Sequence, residues 1–113
     1  MDNIWTYRDE ISTLDRDLVG YDVEATDGGI GKIDAATRET DRNHLVVDTG
    51  FWIFGKKRLI PAGVATRVDA DSQTVYVNMT KDQIKNAPDW QENWDTDDTY
   101  RDTYANYYSP FGW

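Results

Sequence analysis

Cysteine is absent from the 113 residues, which excludes disulfides, thiolate zinc sites and cysteine nucleophiles together. Histidine occurs once, at His44, so a multi-histidine metal site or a histidine-paired nucleophile would need everything from one residue. Asp48, on the same strand, lies about 13 Å away at the usual rise, too far to orient the imidazole. Long apolar runs are also missing, and nothing approaches the roughly 20 residues of a membrane-spanning helix. The opening "MDNIWTYRDE" has neither a basic nor an apolar leader region, so a cytoplasmic chain is expected. Basic residues are scarce, 12 against 21 acids, and the resulting field repels phosphate backbones. DNA is thereby excluded as the main ligand, and RNA is disfavoured.

What is present is aromatic and unevenly placed. A chain of 113 residues has the length of one domain. Domains of this size bury only about 60 to 70 per cent of their unfolded surface, so many recruit metals, disulfides or partner subunits. Residues 1–16 and 17–88 each carry a net charge of −2, whereas 89–113 carries six acids and one base. That last segment also holds eight of the fifteen aromatics. Disordered segments are poor in aromatics. Trp90 and Trp94 are spaced i, i+4, and Tyr100, Tyr104 and Tyr107 follow i, i+4, i+7, with Tyr108 alongside, so each set can line one face of a short helix. The segment reads either as a docking element for a partner or as a cover over this chain's own core.

Between Asp17 and Asn78 the hydrophobic period is two. Val19, Tyr21, Val23 and Ala25 alternate with polar or small residues, "TDGG" turns, and Ile30 to Ala36 returns as a second strand. Leu45 and Val47 lie in a third, Leu59 and Ile60 in a fourth that Pro61 ends, Val64 to Val68 in a fifth, and Val75 to Val77 in a sixth after the "DADSQ" turn. Thr80 and Gln83 have the capping-box spacing, with Met79 and Ile84 as the staple, so a short helix begins at Lys81 and ends before Pro88. The expected fold is mostly β: a small six-stranded antiparallel barrel over 17–88 ending in a short helix, with an N-terminal extension, 1–16, and an acidic aromatic tail, 89–113.

The segments "DLVGYDVEATDGGIGKID", "HLVVDTGFWIFGKKRLIPAGVATRVD" and "VYVNMTKDQIKNAPDW" resemble the PRC-barrel family, first recognised in the H subunit of the bacterial photosynthetic reaction centre. The same barrel occurs in the C-terminal half of a 16S ribosomal RNA maturation factor. The resemblance runs in family order from residue 17 to about 90. It implies a six-stranded barrel with a helical turn and a non-enzymatic role in docking onto larger bacterial assemblies. The reaction-centre transmembrane helix and the maturation factor's partner domain have no counterpart in these residues. The chain resembles free-standing bacterial members with an acidic, tyrosine-rich tail, for which the family offers no settled biochemical role.

Motifs that could carry chemistry do not complete themselves. "GGIGK" has Thr26 and Ile33 where a phosphate-binding loop needs glycine and a hydroxyl. "DADSQT" and "DTDDTY" lack the sixth-position glycine and twelfth-position glutamate of a calcium loop. "NMT" at Asn78 matches a glycosylation acceptor that is idle without export. No catalytic residue, metal or cofactor is therefore expected.

The most unusual stretch is Phe51, Trp52, Ile53 and Phe54 between two glycines, followed by "KKR". Burying each such side chain is worth roughly 1.5 to 3 kcal/mol, so leaving all four in water is strongly disfavoured. A small barrel accommodates only part of them. The N-terminal segment with Ile4, Trp5, Tyr7 and Ile11, the tail, or a second copy must cover the rest. A symmetric interface needs one self-complementary patch, and a homodimer built partly on residues 51–54 is the favoured expectation. The runner-up is an RNA- or ribosome-linked adaptor using the basic cluster, although along a strand at most two of its three side chains share a face. For that cluster the acidic tail is the favoured partner.

Overall fold

In a computed structural model, residues 4–12, 17–36, 43–50, 57–88 and 98–112 are described. A short helix α1 (Asp9–Ser12) precedes strands β1 (Asp22–Ala25), β2 (Gly28–Ala36), β3 (His44–Asp48) and β4 (Lys57–Pro61). A 3-10 turn η1 (Ala62–Val64) leads into β5 (Ala65–Asp69) and β6 (Thr74–Val77). Helices α2 (Lys81–Lys85) and α3 (Asp98–Tyr108) and a 3-10 turn η2 (Ser109–Phe111) complete the chain.

The described strands form one sheet in the order β4-β3-β2-β1-β6-β5. Two expectations are corrected here. The sheet is mixed, because β1 pairs β6 in parallel, with Val23 opposite Val75. Nor does it close into a barrel: its outer strands β4 and β5 are consecutive in the chain and are joined by η1 instead of pairing. At that corner the amides that could extend a ladder are committed elsewhere. Ala62 N–H donates to the Asn43 carbonyl at 3.0 Å, and Gly63 N–H to the Ile4 carbonyl at 2.8 Å. Residues 4–5 thus sit at the junction of the two edges, with Trp5, Tyr7 and Ile11 buried in the common core.

Strand starts also differ from the periodic pattern. Val19 and Gly20 form a turn, with Gly20 at φ +90°, so β1 begins only at Asp22 and Val19 stays 47% exposed. A positive φ breaks the extended backbone that alternation assumes. Val64, expected in the fifth strand, lies in η1, where it is buried.

Curvature comes from β2. Its register against β1 jumps between Val23 and Glu24, leaving Ile30 as the extra residue, and against β3 it jumps beside Asp34. Two bulges in one strand bend it and sharpen the right-handed twist. Gly31, at φ +153°, packs so closely on β3 that an added Cβ would collide with the Asp48 carbonyl oxygen. A third bulge places Thr66 out of register in β5, where its hydroxyl donates to the Tyr76 carbonyl at 3.2 Å.

A candidate interaction site around Arg58

Helix α2 has five residues, too few to persist alone, so outside contacts must hold it. At its start the capping box is complete: Gln83 N–H donates to Thr80 Oγ1 at 3.2 Å, and Thr80 N–H to Gln83 Oε1 at 2.8 Å. Asp27, in the β1–β2 turn, accepts from Lys81 N–H at 2.8 Å, which ties the helix to that hairpin. At its end stands Arg58.

Arg58 lies on β4 opposite Val47 and is buried. Its Nε donates to the Ile84 carbonyl at 3.2 Å and its Nη2 to the Lys85 carbonyl at 3.0 Å. Nη1 donates to the Lys57 carbonyl at 3.2 Å. A cation on the last carbonyls of a helix complements the negative end of its dipole; here it joins Ala87 N–H, 3.1 Å away, on the Ile84 carbonyl. Lys57, one position earlier, turns to the other side, where its Nζ lies 2.8 Å from Asp34 Oδ2, the bulged residue of β2. Successive side chains on a strand point to opposite faces, which explains why these two cations separate.

The tail completes the site. Tyr104 and Tyr108, one helical turn apart in α3, are buried in the same core as Leu59 and Ile60 of β4. Tyr107 is half-buried and donates its hydroxyl to the Gln83 carbonyl of α2. Its ring meets Tyr108 edge-on, with centroids 5.3 Å apart, and stands 6.2 Å from Phe111. Gly112 then lies against the N-terminal segment, where Ile4 Cγ1 is 3.6 Å from the place a Cβ would occupy. Burial raises the Tyr108 pKa, with the Arg58 charge opposing the shift, and Tyr107 is raised for the same reason. The Tyr108 hydroxyl is buried and has no hydrogen-bond partner among the described residues.

Of the ten residues singled out for interaction, Phe51, Trp52, Ile53 and Phe54 lie outside the described residues, as do Trp90 and Trp94. The run 51–54 falls in the connection between Asp48 and Lys57, which pair across β3 and β4. Tyr100 is in α3, its side chain outside the description. Tyr104, Tyr107 and Tyr108 come together around β4 and α2. Arg58 escaped the sequence reading, which took it as part of a surface cluster. The available signal was its alternation with Ile60 in β4, which assigns it to the same face as a buried residue.

Of the other motifs, "GGIGK" lies within β2 and "DADSQT" forms a turn. Asp69 Oδ1 accepts from Asp71 N–H at 3.1 Å and Ser72 N–H at 3.3 Å, so "DADSQT" uses its carboxylate on its own backbone. The Ser72 amide is the main reason that the Asp69 pKa is lowered. His44 opens β3, half-buried. Among the described residues no three potential metal ligands gather, and no helix is long and apolar enough to cross a membrane.

The fold defined by this geometry is a mostly β, six-stranded mixed sheet with a C-terminal helix packed on it. Over 57% of the chain it is similar to the crystal structure of a Pseudomonas aeruginosa protein described as a 16S ribosomal RNA processing protein, RimM, at 20% sequence identity and a TM-score of 0.46. The match spans 42% of that protein's chain, less than half its length. No protein-family model matches the sequence, and no curated protein matches it.

Proposed function

We propose that this chain is a non-enzymatic protein–protein interaction module of the PRC-barrel type, which self-associates and docks onto a larger assembly in the bacterial cytoplasm. One observation carries the reading: the sheet body holds an aromatic helix from outside itself, with Tyr107 on the Gln83 carbonyl and Tyr104 and Tyr108 buried beside β4. A body that seats one tyrosine-bearing helix by side-chain contacts has the equipment of a docking domain. Residues 51–54, joined to the paired ends Asp48 and Lys57, supply the apolar patch for contact between copies.

A role in binding RNA phosphate through "KKR" fits less well. Lys57 is already on Asp34, and Arg58 is buried on helix carbonyls, so phosphate would have to displace both.

Mass in solution tests the proposal. The native chain is expected to show a dimer mass that moves towards monomer when Trp52 and Phe54 are both replaced by alanine. A native chain that stays monomeric up to millimolar concentration sinks self-association. Dimers unaffected by the double substitution would acquit residues 51–54.

A further inference from the structure

We infer that α3 is an exchangeable strap: the socket formed by β4, Arg58 and the end of α2 accepts the tyrosine helix of a second copy as readily as its own. This rests on the self-association proposed above.

Four observations support it. The contacts described between residues 98–112 and the body each involve a side chain, namely Tyr107 on the Gln83 carbonyl, Tyr104 and Tyr108 in the core, and Ile4 beside the Gly112 backbone. The described part of the tail contributes no strand to the sheet, so another copy can make every one of these contacts unchanged. Second, α3 is a weak helix in isolation. Its eleven residues, "DTYRDTYANYY", include four tyrosines, two threonines, two aspartates and an asparagine, all modest helix formers. It therefore takes its structure from the socket, whichever chain provides it. Third, apart from Tyr104 and Tyr108, every buried apolar side chain among the described residues belongs to 5–87, so the strap adds two side chains to a core that the body otherwise supplies. Fourth, the nine residues 89–97 join the body to α3, and a chain of nine spans up to about 30 Å when extended. That is close to the 37 × 35 × 23 Å dimensions of the molecule.

In an isolated chain a strap on a short tether meets its own socket at an effective concentration of the order of millimolar, which favours the closed form. Once two bodies are held together, the second socket is presented at a similar effective concentration. The strap then divides between the two sockets, and reciprocal exchange closes a twofold pair with no socket left empty.

The absence of cysteine makes a direct test simple. In the full chain, Ile4→Cys with Gly112→Cys places one thiol on the body and one at the end of the strap, and replacing Ile4 also removes the atom that a side chain at 112 would strike. Oxidation, or a short bis-maleimide, then links a chain to itself or to its neighbour. At concentrations that give a dimer mass, roughly half of the links are expected to join two chains on a denaturing gel, falling towards none on dilution to the monomer. A dimer whose links are all within one chain overturns the exchange and leaves self-association standing. A chain that is monomeric and internally linked at every concentration overturns both.

A cysteine-free measurement covers the case in which that variant does not fold. Arg58→Ala, with a damaged socket, and Tyr108→Ala, with a damaged strap, are melted separately and mixed. A transition in the mixture above that of either alone requires one sound strap on the other chain's sound socket. No such rise means that the strap serves only its own body.

Discussion

The Nη2 of Arg58 lies 3.0 Å from the carbonyl oxygen of Lys85, and its Nε reaches the preceding carbonyl, of Ile84. Through this one side chain an edge strand holds the end of a helix that could not persist alone. The same charge lies close enough to Tyr107 and Tyr108 to oppose the effect of burial on their pKa values. Sheet, helix and tail meet there.

Replacing Arg58 by methionine should destabilise the chain by about 2 to 3 kcal/mol, since the Ile84 and Lys85 carbonyls lose charge-assisted hydrogen bonds and the end of α2 loses its tie to β4. Lysine should restore little, because a single ammonium cannot reproduce the planar fork on two acceptors. Urea titration followed by far-ultraviolet circular dichroism measures both, and equal stability of all three proteins would refute the anchoring role.

Tyr108→Phe should have the opposite sign. A buried hydroxyl without a partner costs about 1 to 3 kcal/mol, so its removal should leave stability unchanged or raise it by about 1 kcal/mol. A loss of more than that in a thermal melt would mean that the hydroxyl has a partner.

Alkaline pH provides a related test. The unfolded tyrosine titrates near 10.0, and burial raises the folded Tyr108 above that. Above pH 10 the unfolded chain has lost a proton that the native one keeps, so stability is complete below that pH and falls above it. Tyr108 alone contributes a slope of about 1.4 kcal/mol per pH unit in that window. Unfolding by denaturant at pH 9, 10 and 11 should show the decline, shallower in Tyr108→Phe.

Gly31→Ala should be among the most damaging single substitutions. Its φ of +153° disfavours any side chain, and the added carbon would strike the Asp48 carbonyl oxygen across the β2–β3 pair. Backbone strain and overpacking together should cost roughly 3 kcal/mol or more, read from the midpoint of urea unfolding.

Loss of the Tyr107 hydroxyl is expected to loosen the tail specifically. Tyr107→Phe removes its bond to the Gln83 carbonyl, worth about 1 kcal/mol, and keeps the ring. Hydrogen exchange should speed up in α3 while the β2–β3 amides are unaffected. A uniform change across the chain would contradict the strap description.

Much of the local structure was legible because neighbours in sequence produce it. The Thr80–Gln83 capping box forms as its spacing implied, and Tyr104 and Tyr107 fall on one helix as i, i+3. Period-two alternation located the strands, but it failed where Gly20 takes a positive φ, where η1 turns the chain at Val64, and at the bulges of β2 and β5. Chain order, however, does not state which strand lies beside which. The parallel pairing of β1 with β6 joins residues about fifty positions apart, and no short-range pattern records it.

The sequence by itself determined roughly where the strands and helices form and that no thiol chemistry is available, since propensity, turn geometry and the lack of cysteine act locally. Only the tertiary structure decided that the sheet is open and mixed, that Lys57 turns to an aspartate while Arg58 is buried under a helix, and that three tail tyrosines gather at β4. Those outcomes depend on which distant groups compete for each amide, carbonyl and charge once the chain has closed on itself. A side chain's neighbours across space are set by that competition, and the order of residues leaves it open.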